Sequence, residues 1–61
     1  MTALQEHLTK ARDCAQFAAG DLRAARTIAA PQLAADLYAA LMDADGLVAR
    51  LETLLNMEKA S

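Results

Sequence analysis

The chain has 61 residues, a formal net charge of -2, a sequence pI near 5.0 and a single cysteine. That length supports one domain at most and buries only about 60% of the surface its unfolded form exposes, and with one cysteine no intrachain disulfide can supplement the core. The acidic balance excludes a global field that would draw in nucleic acid or anionic lipid, and the most apolar stretch, 28–55, carries Asp36, Asp43, Asp45, Arg50 and Glu52, too many charges for a membrane span of about 20 apolar residues.

Sixteen alanines against two glycines and one proline give strong helix propensity nearly throughout. Thr2 and Gln5 stand at capping-box spacing, in which the threonine oxygen and the glutamine side chain each satisfy a free backbone amide at a helix start. Leu4, Leu8, Ala11, Ala15, Ala18, Leu22 and Ala25 then recur in alternating steps of four and three, the spacing of a heptad seam. The seam passes Gly20 in phase. One helix is therefore expected over about 3-26, with Arg23 and Arg26 near the negative end of its dipole.

Pro31 has no amide hydrogen and its ring clashes inside a helix, defects that are harmless in a first turn. A turn over about 27-30 and a second helix over about 31-58 follow. Ala34, Leu37, Leu41, Ala44, Val48, Leu51 and Leu55 form its seam, again in unbroken four-three alternation past Gly46. The expected fold is all-α, an antiparallel helical hairpin. A break at Gly20 or Gly46, giving three helices, is the competing reading.

In an antiparallel pair, facing residues have a constant sum of numbers, and a sum of 59 matches every seam position of one helix to one of the other, from Leu4 with Leu55 to Ala25 with Ala34. A further row on helix 2, Leu33, Ala40, Leu47 and Leu54, lies beside the seam without cover from helix 1. Across the hairpin it faces Ile28, Asp21, Cys14 and His7, while the other flank sets Gln5 and Arg12 against Glu52 and Asp45. Each large apolar side chain left wet forfeits about 1.5–3 kcal/mol of available burial. Cys14, Ile28, Leu33, Ala40, Leu47 and Leu54 are thus the expected interface of a homodimer, a four-helix bundle.

Chemistry-bearing constellations are scarce. His7 and Cys14 share a helix face two turns apart, about 10 Å, which is too far for the hydrogen bond that would activate the thiol. Cys14 reads as a small apolar residue and His7 as a solvated one. Asp43, Asp45 and Gly46 lack the remaining ligand positions of a calcium loop. With no glycine-rich phosphate loop, metal-ligand cluster or serine-centred triad, no enzymatic activity, cofactor or metal is expected. The lone thiol and the lack of a signal-like N-terminal segment lead us to expect a cytoplasmic protein.

Two surfaces remain as candidate binding sites. Helix 2 presents Ala35, Tyr38, Ala39 and Met42 away from its seam, a face poor in charge where tyrosine supplies an anchor and methionine adapts its shape to a protein partner. Helix 1 presents Lys10, Gln16, Phe17 and Arg23, a set able to contact phosphates and stack on bases. In chain length, hairpin topology, mixed alanine and leucine layers and the aromatic residue on helix 1, the chain resembles the Rop-type hairpin dimers of plasmid copy control. That resemblance is architectural, without a shared sequence motif, and implies binding of paired RNA loops across the first helices. Glu6, Asp13 and Asp21 share that helix and offset most of its cationic charge.

The expected function is that of a small regulatory protein acting by protein-protein interaction, such as a phage- or plasmid-type inhibitor of a host transcription regulator or enzyme. An RNA-binding hairpin dimer and a structural assembly subunit are the alternatives.

Overall fold

The computed structural model describes residues 2–60. It holds two helices, α1 (Ala3–Ile28) and α2 (Pro31–Ala60), joined by Ala29 and Ala30. They lie side by side in an all-α hairpin with principal extents of 46 × 14 × 11 Å.

Local chemistry accounts for the ends of α1. Thr2 Oγ1 accepts the Gln5 amide at 3.1 Å and Gln5 Oε1 accepts the Thr2 amide at 3.3 Å, so the capping box closes as its spacing predicts. At the other end Ala29 is extended, with φ −78° and ψ 151°. Ala30 precedes Pro31, whose ring disfavours helical backbone in the residue before it. Pro31 then opens α2 where its missing amide costs nothing, and the Leu33 amide donates to the Ala30 carbonyl at 2.9 Å to start the new helix. The Thr27 hydroxyl donates to the Ala24 carbonyl at 2.7 Å in the last turn of α1.

Neither glycine interrupts its helix, and α1 runs two residues further than the seam pattern indicated. A Cβ built on Gly20 meets nothing within 4 Å. Gly20→Ala should therefore stabilise the hairpin by about 0.5–1 kcal/mol through helix propensity alone. Urea denaturation followed by circular dichroism should show a higher midpoint, and a lowered one would reveal a packing role that Gly20 lacks here.

The core is thin. Ala15, Ala19, Leu41, Leu51 and Leu55 are buried, and no side chain among the described residues is completely so. On α2 the expected seam faces α1: Ala34, Leu37, Ala44 and Val48 are half-buried between the three buried leucines. On α1 the expected seam is only half right. Leu8, Ala15, Leu22 and Ala25 are buried or half-buried, but Leu4, Ala11 and Ala18 are exposed, with Leu4 at 53%. Arg12, half-buried, and Ala19, only 2% exposed, take their place.

This rotation comes with a slide. A sum of about 63, rather than 59, is the one that sets the buried and half-buried rows of the two helices against each other. On that sum Leu8 pairs with Leu55, Ala15 with Val48, Ala19 with Ala44, and Leu22 with Leu41, all of them buried or half-buried. The cross-helix contacts Arg23 to Asp45 and Arg26 to Tyr38 fit this offset, given that helical side chains lean toward the N-terminus of their own helix. Arg12 tolerates its seam position because its apolar stem covers the neighbouring helix while its guanidinium turns outward to Asp13 at 3.1 Å.

Candidate functional site

The new register gives the hairpin two unlike flanks. On one, the residues displaced from the seam of α1, namely Leu4, Ala11 and Ala18, share a side with Leu33, Ala40, Leu47 and Leu54 of α2, with the half-buried Ala25 in line with them. Levels alternate between the helices, so these residues interleave into a single apolar stripe along the rod. Leu33, Leu47 and Leu54 are 52%, 50% and 41% exposed, while Ala25 and Ala40 are half-buried. Cys14 and Ile28, expected to share the interface, instead border the stripe on α1; both are exposed, Ile28 at 87%. Sequence reasoning found the α2 half of this surface but assigned its α1 half to the core.

The other flank is polar and closed by named contacts. Arg23 bridges to Asp45 at 3.1 Å, and the Arg26 guanidinium sits 4.9 Å from the centroid of the Tyr38 ring. The expected juxtaposition of Gln5 and Arg12 with Glu52 and Asp45 is not formed: Gln5 completes the cap, Arg12 holds Asp13, and Asp45 belongs to Arg23. The Arg23 and Asp45 side chains are 59% and 44% exposed, so their pair contributes little to stability and acts mainly to orient both groups. The guanidinium over Tyr38 is worth about 0.5–1 kcal/mol and restricts the ring.

Beyond Tyr38 the outer face of α2 carries Ala35, Ala39 and Met42. With Tyr38 these occupy the spacing i, i+3, i+4, i+7, which places four side chains around one depression on a helix surface. Tyr38 is 49% and Met42 54% exposed, and Ala35 and Ala39 are exposed. A small side chain at each end of the pair lets an opposing helix or loop approach the ring closely.

Lys10, Gln16 and Phe17 lie exposed on the outer side of α1, and Arg23 is engaged by Asp45. Phe17 lines an open groove with Asp13, Gln16, Gly20 and Asp21. Two carboxylates beside the ring oppose a phosphate backbone, and the cation nearest to completing the set is already paired. This geometry weighs against the RNA-binding assignment of that face.

His7 and Cys14 are both exposed on α1, two helical turns apart. Among the described residues no group of three or more His, Cys, Asp or Glu side chains is placed to hold a metal ion. No helix among them is long and apolar enough to cross a membrane. Comparison with protein-family models, curated proteins and solved structures found no match. The functional reading accordingly rests on the surfaces themselves.

Proposed function

We propose that the chain is a non-catalytic regulatory protein that assembles as a homodimer through its apolar flank and binds another protein through the outer face of α2 around Tyr38 and Met42. The observation that carries this reading is the separation of the two surfaces. The Leu47 stripe and the Tyr38 face occupy opposite sides of α2, so self-association leaves the second face open. Blocking a host transcription regulator or enzyme by covering its dimerisation or ligand surface is the mode of action such a face suits. The Tyr38 ring is held by Arg26 before any partner arrives, which reduces the ordering cost of binding. Asp36 and Asp43 border the face and favour a partner with a basic rim.

A photo-reactive phenylalanine analogue at Met42, introduced in the native host, should cross-link to one defined protein, and the same probe at Lys10 should not. Tyr38→Ala in the Met42-probe background should abolish that product while circular dichroism stays unchanged. Equal capture from both positions, or capture that survives Tyr38→Ala, would remove the site assignment.

A further inference from the structure

Resting on the homodimer reading, the geometry points to a specific arrangement, in which α2 packs antiparallel on α2 of a second copy about a two-fold axis at Gly46 and Leu47. Two observations call for a second copy, and two more locate the axis.

The first is area. A compact monomer of 6.5 kDa exposes about 3,800 Å², whereas the hairpin exposes 4478 Å². The surplus of roughly 650 Å² is close to the roughly 800 Å² per partner of a standard interface. The radius of gyration of 14.1 Å, against about 10.5 Å expected for a compact chain of this length, says the same of its shape. A second rod laid along the stripe turns two thin layers into a four-helix cross-section.

The second is pattern. With the row Leu33, Ala40, Leu47 and Leu54 included, α2 carries apolar residues on a three-in-seven face, wider than a lone hairpin uses, while on α1 the third row of that face is the mixed Gln5, Arg12, Ala19 and Arg26. A helix in a bundle touches two neighbours and needs that width.

The third is a receptacle. Asp43, Gly46, Leu47 and Arg50 line a surface groove of about 290 Å³ beside the stripe. Their spacing, i, i+3, i+4, i+7, is that of the hole that receives one side chain of a facing helix. A Cβ built on Gly46 meets nothing within 4 Å, so its missing side chain leaves open space that the single chain never fills. Two-fold packing centred there seats the partner's Leu47 in this hole, and the reverse.

The fourth is charge. Asp43 and Arg50 flank that hole on opposite ends, and neither has an ion-pair partner among the described residues. Seven residues apart, they stand about 10 Å from each other along the helix, beyond pairing within one chain. A two-fold axis between them sets each against its opposite in the second copy. The alternative stacking, with both turns at the same end, places α1 over α2 and brings Asp43 level with Asp21 of the other copy, two like charges.

The test uses the full chain. Leu47→Cys in a Cys14→Ser background should form an intersubunit disulfide under mild oxidation, since a residue beside the axis meets its own copy within the few ångströms a disulfide spans. Gly46→Leu should be monomeric by sedimentation with helicity retained, whereas Gly20→Leu should remain dimeric. Asp43→Arg and Arg50→Asp should each weaken the dimer, and the double variant should recover it. A wild-type chain that is monomeric throughout would overturn the homodimer reading and leave the stripe to a different protein. A dimeric wild type whose Gly46→Leu variant stays dimeric, and whose Leu47→Cys variant fails to cross-link, would overturn this axis alone.

Discussion

Leu47→Glu should halve the mass of the particle in solution. In a lone hairpin Leu47 is 50% exposed, and a substitution at such a position is expected to change stability by no more than about 0.5 kcal/mol. In the assembled protein the same carboxylate would be buried opposite its own copy near the two-fold axis, where desolvation and like charge act together. The variant is expected to run as a monomer, or as an unfolded chain if the hairpin depends on its partner. Sedimentation and circular dichroism together separate those two outcomes, and an unchanged assembly mass refutes the interface.

The largest effect on folding is expected at Leu41. Among the described residues it is one of five buried apolar ones, only three of them leucines, and it pairs with Leu22 on the sum of 63. Truncation to alanine removes three side-chain carbons from a core in which Ala15 and Ala19 are already alanines, so little can close over the gap. Leu→Ala changes at buried sites cost about 2–5 kcal/mol, while a core of this size supplies rarely more than about 3–5 kcal/mol in total. Leu41→Ala should accordingly be largely unfolded at 25 °C and low concentration. A cooperative urea transition with a midpoint near that of the parent chain would show that the seam between α1 and α2 is not what holds the protein together.

The two helices were unequally legible in the sequence. The seam of α2 could be read directly because leucine or valine occupies it at Leu37, Leu41, Val48, Leu51 and Leu55, and no competing row contains as many large apolar residues. Pro31 and the Thr2 and Gln5 pair marked helix starts for reasons of backbone chemistry that tertiary context did not override. The seam of α1 was ambiguous by composition. Leu8, Ala15 and Leu22 belong to both candidate seams, and the choice between the rows beside them set Leu4 and three alanines against Gln5, Arg12, Ala19 and Arg26. A hydrophobic count favours the first row. The structure instead buries Ala19 and half-buries Gln5 and Arg12 while Leu4, Ala11 and Ala18 stay exposed, an arrangement in which an arginine stem can cover apolar surface and a small alanine lets helices approach. The register error of one turn followed from the same source, since alanine layers carry too little shape to mark their own level.

The surfaces were legible in part for a related reason. The row Leu33, Ala40, Leu47 and Leu54 announced itself through large residues at intervals of seven, but its α1 counterpart was hidden by having been counted as core. The Tyr38 and Met42 face was found from charge depletion alone, and the Arg26 contact that orders its ring depends on a cross-helix distance that no single-helix pattern encodes.

The placement of Tyr38 on the side of α2 away from Leu47 sets the valency of the assembled protein. Two copies joined through the stripe would point their tyrosine faces in opposite directions, so one particle would hold two target molecules apart rather than grip two sites on one surface. Its effective strength would then depend on how the targets are arranged: little gain on isolated monomers, and a large avidity gain where targets are already clustered at a spacing the bundle can span. Such a particle is a bridge by construction, and its stoichiometry with target should be two to two.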